Sequence, residues 1–333
     1  MEFDSSFFDA GLERRHTDCE KWDGMVDEYH DPEMIPMWVA DMDFRSAPAI
    51  ADAVKRVAEQ GTWGYTLSGE QDARALCDYW KRRHGVGFEP KDVQMGPCVV
   101  SELRLCVRAL TEPGDGVLIF TPVYGPFYAS ITESGRRVVG SAMLRDEHGR
   151  YTLNLADAEG KLAAREAKMV MFCSPHNPCG RAWTEEELAG VVNLCYKYGV
   201  PLVCDEIHAD FVYAPNAHHS ILNLPHADEL AVMLCAASKT FNVAGLQQAS
   251  LVCKNERMRE ARRRIQTRRE TATCCLALLR LYGLRRMAGR AEGVSGRQPR
   301  LCDGLREGAF PEGDRHAAGG DLPDVAGLPR AGA

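Results

Sequence analysis

The chain has 333 residues, long enough to bury one large or two moderate cores. A hydrophobic fraction of 45% with 26% charged residues fits a globular protein, and a net charge of −7 argues against a nucleic-acid partner. No run of about 18 apolar residues occurs, which argues against a membrane span, and the polar N-terminus has no signal-peptide core, which predicts a cytoplasmic protein.

The 13 cysteines are scattered singly through apolar runs such as those around Cys173, Cys204 and Cys235. Without paired C-x-x-C motifs they suggest neither a zinc site nor a disulfide framework, and they read as small buried hydrophobes. His208 and His219 lack a second ligand cluster, so no metal is expected.

After a polar leader, residues 34–44 (MIPMWVADMDF) form an extended apolar segment broken by aspartates. The spacing of apolar residues predicts helices over residues 49–59, 70–84 and 102–110, and a charged amphipathic helix over 184–198. Between the first two lies a glycine-flanked aromatic loop containing Tyr65. Short apolar runs predict strands over 117–120, 169–173, 202–204 and 250–253, and a buried strand within 230–237 that leads to Lys239.

Strands alternating with helices, each leaving polar residues just past its C-terminal end, predict an α/β fold with a doubly wound, mostly parallel sheet. Four of these ends carry Tyr124, Asn177, Asp205 and Lys239, which should therefore surround one crevice. Alone, each has an ordinary reading: Lys239 as a solvated strand end, Asp205 as a helix cap, Asn177 as a turn residue before Pro178, Tyr124 as packing. Together they match what a pyridine aldehyde cofactor requires: a Schiff-base lysine, a carboxylate for the ring nitrogen, a donor for the phenolate and a flat stacking group. The helix start at Val99 and Val100 offers backbone amides for a phosphate.

The motifs N-P-x-G with Arg181 next, D-E-I-H and S-K-T-F-N resemble those of fold-type I pyridoxal-phosphate enzymes of the class I/II aminotransferase family. More narrowly, MWVADMDF, GYT, PVYGPF, DEIHAD and SKTFNVAGLQ are similar to its cystathionine β-lyase, or C–S lyase, branch. The resemblance spans about residues 3–258. It implies pyridoxal 5'-phosphate as cofactor and Lys239 as both Schiff-base former and proton carrier. Asp205 would partner the pyridinium, Asn177 and His208 neighbour the phenolate oxygen, and Tyr124 stack on the ring. Ser238 with the amides of Val99 and Val100 would hold the phosphate, and Tyr65 would reach in from the second subunit of a homodimer. The implied reaction cleaves an amino-acid thioether such as cystathionine to a thiol, pyruvate and ammonia. Transamination on the same scaffold, or an inactive cofactor-binding remnant, is the alternative. Two positions depart from the family pattern. Cys98 stands where a glycine is usual, which predicts a backbone shape a cysteine resists, and Gln247 stands where many aminotransferases carry a phosphate-binding arginine.

Beyond about Arg262 the character changes: no lysine follows Lys254, and periodicity fades after Leu284. Codons able to encode residues 321–330, read one nucleotide later, permit T-Y-L-M-W-L-D-C-R-A, which resembles a strand of the family's small domain. The same shift turns Met287-Ala288 into Trp. The expected organisation is an N-terminal arm and small-domain segment (1–45), a cofactor-binding large domain (46–261), and an aberrant, poorly ordered region (262–333) that leaves the small domain incomplete. The expected cause is a frameshift between about Arg262 and Arg286. None of the late arginines sits in a motif that assigns it to a substrate carboxylate.

Overall fold

A computed structural model describes residues 5–31, 33–62 and 68–265. The expectations for Tyr65 and for residues 266–333, including their poor order and altered reading frame, lie outside the described residues. In chain order the elements are α1 (Ser5–Asp9), α2 (Asp23–Tyr29), α3 (Pro48–Gln60), α4 (Glu70–His84), β1 (Val93–Gly96), α5 (Val99–Leu110), β2 (Gly116–Thr121), α6 (Gly125–Thr132), β3 (Arg137–Ala142), β4 (Leu144–Arg145), β5 (Tyr151–Thr152), α7 (Leu155–Ala163), β6 (Met169–Cys173), α8 (Glu185–Tyr198), β7 (Leu202–Asp205), α9 (Ala227–Leu230), β8 (Ala231–Cys235), α10 (Ala237–Thr240), β9 (Ala249–Val252) and α11 (Glu256–Ile265).

Seven strands form one sheet in the order β1-β9-β8-β7-β6-β2-β3, while β4 and β5 make a separate hairpin. Pairings from β3 through β2, β6 and β7 to β8 are parallel; β9 runs antiparallel to both β8 and β1. β9 is therefore the single reversed strand, and the C-terminal ends of β1, β8, β7, β6 and β2 share one edge. The fold is the doubly wound, mostly parallel sheet expected.

The central strands read as unbroken apolar runs because both faces are covered. Alternate residues go to opposite sides: Phe172, Cys204 and Met233 join Trp80, Leu188 and Val192 in one cluster, whereas Met171, Val203 and Leu234 join Leu103, Phe127 and Ile131 in the other. Helices α4, α7 and α8 thus cover one face, and α5 and α6 the other. Burying such a side chain stabilises by about 1.5–3 kcal/mol relative to exposure, so these layers fix the sheet's register.

The helix starting at Thr184 is capped as its sequence dictates. Thr184 Oγ1 accepts from Glu187 N at 3.2 Å, Glu187 Oε2 accepts from Thr184 N at 2.9 Å, and Gly199 closes the far end at φ 64°. Helix α5 begins earlier than its apolar spacing suggested, at Val99, because Cys98 serves as its extended N-cap residue. The sequence reading missed β1, β3, the β4–β5 hairpin, α6 and α7. Strand β1 carries a buried Gln94, and β3 is a half-exposed edge.

The last described helix, α11, continues through Ile265, past the domain boundary expected at residue 261. It docks through arginines. Arg262, 3% exposed, donates to Glu102 Oε1 at 2.6 Å and Oε2 at 3.0 Å, and Arg259 donates to Asp92 Oδ1 at 3.1 Å and to the carbonyls of Cys253 and Lys254. Glu102 needs a glycine opposite it, since a Cβ on Gly96 would lie 1.7 Å from Glu102 Oε1.

Candidate active site

The register explains why the polar strand ends converge. Asp205, at the end of β7, pairs with Cys173 of β6 on one side and Leu234 of β8 on the other. Strands lie about 4.8 Å apart, so the segments following β6 and β8 flank Asp205 directly. Asn177 follows β6, Lys239 follows β8, and Tyr124 follows the next strand along, β2. Lys239 sits in the one-turn helix α10 instead of on the strand end itself, and Ser238 precedes it there.

The electrostatics agree with this placement. Asp205 is 3% exposed, and burial pushes its carboxyl from the ordinary 3.8 up to about 7, against the opposing pull of the Ile207 amide and of Lys239. Its Oδ1 accepts from Ile207 N at 3.0 Å. Burial lowers the proton affinity of the Lys239 amine, while Asp41 and Asp205 counteract it. His208 is pushed down to about 4 by burial and by the Lys239 charge, so its imidazole is neutral at neutral pH. Tyr124, 38% exposed at the N-terminus of α6, has its phenol pKa raised by burial and then by Asp205. Lys239 and Asp205 thus act on each other, while His208 feels the Lys239 charge and Tyr124 that of Asp205. Asn177 lies on the adjoining turn, its amide 3.5 Å from Cys173 Sγ.

Val99 and Val100 are the first two residues of α5, where backbone N–H groups have no partner inside the helix. The expected difficulty at Cys98 does not arise: its φ of −159° and ψ of 160° are extended backbone open to any residue, and Sγ lies 3.2 Å from Ser101 Oγ. Gln247 folds back on its own turn, donating to the Ala244 carbonyl at 3.2 Å.

A second layer of residues was legible only as motif letters. Lys239 Nζ donates to the Ala40 carbonyl at 2.8 Å, so the arm around residues 34–46 closes over the lysine. Asn242, at φ 54°, clamps that arm by accepting from Met42 N at 3.0 Å and donating to the carbonyls of Met42 and Phe44 at 3.1 and 2.9 Å. Ser46 Oγ donates to the Asn242 carbonyl at 2.7 Å. From the other side Arg14 binds Asp41 and Asp43, and Lys21 reaches Asp43 at 2.6 Å. Arg181 of the N-P-x-G turn proves to be a buttress, stacked 4.6 Å over Trp183 and donating to Glu187 Oε2 at 2.6 Å.

Of the ten cysteines described as free, Cys106, Cys173, Cys195, Cys204, Cys235 and Cys253 are buried, and burial raises the pKa of each thiol. Among the described residues no His, Cys, Asp and Glu group is arranged to hold a metal ion, and no helix is long and apolar enough to cross a membrane.

The family model for aminotransferase class I and II matches residues 32–316. The chain belongs to that family. It is 37% identical over 246 residues to cystathionine beta-lyase PatB of Bacillus subtilis (strain 168), covering 74% of this chain and 63% of the relative. It is 31% identical over 255 residues to Protein MalY of Escherichia coli (strain K12), covering 76% and 65%. The chain therefore spans less than two thirds of these relatives' own length. Among solved structures, cystalysin from Treponema denticola, which contains pyridoxal 5'-phosphate, superposes with a TM-score of 0.84 at 27% identity, covering 94% of this chain and 80% of that one. The PLP-bound C–S lyase from Staphylococcus hominis gives 0.79 at 27% identity, covering 92% and 78%.

Proposed function

We propose that the chain is a pyridoxal-phosphate-dependent C–S β-lyase that releases a thiol, pyruvate and ammonia from cystathionine or a cysteine S-conjugate. The observation that carries this reading is a buried Asp205 carboxyl coupled to the half-buried amine of Lys239 at the sheet edge, within a family whose solved C–S lyases hold this cofactor. The donor set fits. A carboxyl in so dry a place is costly to ionise unless a cation meets it, and a protonated pyridine nitrogen is such a cation. The N-terminal amides of α5 at Val99 and Val100, with the Ser238 hydroxyl, suit a dianionic phosphate. Tyr124 offers a flat ring, and Asn177 and neutral His208 offer polar groups for the phenolate oxygen.

When bound, the cofactor supplies an aldehyde that joins an amine and a ring that withdraws electrons. The chain's own residues do the rest. Lys239 would hold that aldehyde through its Nζ, whose lowered proton affinity leaves more of it as free amine, and the same amine would serve as general base for the substrate Cα proton. Asp205 would hold a proton on the ring nitrogen. The arm holds the resting Lys239 amine through the Ala40 carbonyl.

We further propose that the protein acts in the cytoplasm as a homodimer, with Tyr65 of each subunit serving the other, and that the C-terminal region departs from the family through a change of reading frame. Full-length protein incubated with pyridoxal phosphate and cystathionine should develop the absorbance of a lysine-bound cofactor and release pyruvate and thiol. Keto-acid-dependent amino transfer without thiol release would make it an aminotransferase instead, and silence in both assays with the cofactor bound would make it a remnant. Resequencing the locus tests the reading frame, and sedimentation tests the dimer.

A further inference from the structure

A second polar cluster takes hold of the lysine turn from the helical side. Asp210, the last residue of the D-E-I-H-A-D segment, has a side chain only 10% exposed. Its Oδ2 accepts from the Tyr79 hydroxyl at 2.7 Å and from the Thr240 hydroxyl at 2.7 Å. Its Oδ1 accepts from Arg83 Nε at 3.1 Å and faces His84 Nε2 at 3.2 Å. Burial alone would favour the protonated acid, but His84, then Tyr79 and Thr240, outweigh it and hold the carboxyl well below the usual range. Burial first, and Asp210 next, push the Tyr79 phenol far above its own, so it remains a donor. The carboxylate is therefore charged and saturated across the working pH range.

Thr240 is the residue after Lys239 and the last of α10, which runs only Ala237–Thr240. One turn of helix does not sustain itself, because nucleation costs more than its few hydrogen bonds return. Its orientation must come from anchors on either side. Asn242 supplies one, on the arm. Thr240 supplies the other, tied through Asp210 to Tyr79 and Arg83 of α4, and the Phe241 ring packs 5.9 Å from that of Tyr79. Neighbouring residues on a helix point about 100° apart, so directing Thr240 toward Asp210 sets the direction in which Lys239 leaves the turn.

We propose that Asp210, acting through the Thr240 hydroxyl, is the positioning residue that aims the Lys239 amine into the crevice. The proposal rests on Lys239 being the cofactor's lysine. The test compares two legs on one oxygen. Thr240→Val removes the leg that carries the lysine turn; Tyr79→Phe removes a hydrogen bond of equal length to the same Oδ2 and leaves Thr240 in place. The full-length protein, stripped of cofactor, is mixed with pyridoxal phosphate, and the rise of the lysine-bound absorbance is timed beside a thermal melt. A misaimed amine should slow capture about tenfold in Thr240→Val, with Thr240→Ser within about twofold of the parent and Tyr79→Phe likewise, although the Val and Phe variants melt similarly early. Asp210→Asn, which keeps the shape, should slow capture in the same sense. Equal slowing in Thr240→Val and Tyr79→Phe, no slowing in Thr240→Val, or a Thr240→Ser as slow as the valine variant overturns the positioning role while leaving the cofactor site standing. A parent chain that captures no pyridoxal phosphate overturns the reading of the site and this inference with it.

Discussion

The floor of the crevice and the arm above it meet at Lys239 Nζ and the Ala40 oxygen, yet they are built by opposite means. Asp205 ends a parallel strand, and Asn177 and Lys239 follow its two neighbours, strands whose register is set by backbone ladders and two apolar layers. The arm has no regular structure over residues 33–47; side-chain polar contacts from Arg14, Lys21, Ser46 and Asn242 hold it. The difference teaches that the proposed chemistry falls on the rigid part, while the arm over it is held by contacts that cost little to break.

The sharpest break in that comparison is Lys239→Ala, which should abolish the lysine-bound absorbance of added pyridoxal phosphate while leaving the fold's far-UV dichroism intact; a surviving band would remove the lysine from its assigned role. Asp205→Asn comes next, lowering turnover on the order of 10²-fold through loss of the charge at the ring nitrogen. In the cofactor-free chain it should act the other way. The carboxyl's folded value of about 7 exceeds its ordinary 3.8, so the folded state holds the extra proton across that window, and stability falls as pH rises from 3.8 toward 7. Urea titrations should show this fall in the parent and not in Asp205→Asn.

Behind the floor, Gly96→Ala would drive a Cβ into Glu102, and Arg262→Met would take a guanidinium away from the fully buried Glu102. Each should destabilise by about 2–4 kcal/mol in denaturant melts, with the arm's protease sensitivity unchanged. The arm should respond in reverse. Asn242→Ala removes three hydrogen bonds and should cost about 1–3 kcal/mol, with early hydrogen exchange confined to residues near Met42 and Phe44. Arg14→Ala should cost about 1 kcal/mol, an effect that shrinks in concentrated salt, because its pairs with Asp41 and Asp43 are partly exposed. If the arm variants lowered global stability as much as the glycine substitution, the two regions would be one cooperative unit and the contrast would fail.

Legibility in the sequence followed the same division. Strands β6, β7 and β8 announce themselves as apolar runs ended by polar residues, and helices such as Glu70–His84 by their caps and period, so the floor could be assembled before any coordinates. Strand β1 was hidden because a buried Gln94 and a terminal glycine break its apolar run. The roles of Asp210, Asn242 and Arg14 depend on partners far away in the chain, such as Met42 for Asn242, and no local pattern encodes them. Cys98 was misjudged because its neighbourhood suggested a turn, whereas it is an extended helix cap.

The single reversed strand carries a consequence for how the chain is made. Among the described residues β1 has one neighbour in the sheet, β9, with Val93 opposite Val252. During vectorial synthesis β1 and the helix that follows it emerge early, but the sheet position of β1 exists only after β9 has been synthesised and has docked on β8. Such long-range pairing is slow to form and leaves an unpaired edge meanwhile. The amides of Val99 and Val100 lie where β1 passes into α5, a helix already seated by Leu103, Cys106 and Val107 on Val117, Met171 and Val203, so only the β1 side of the proposed anion cradle waits for β9.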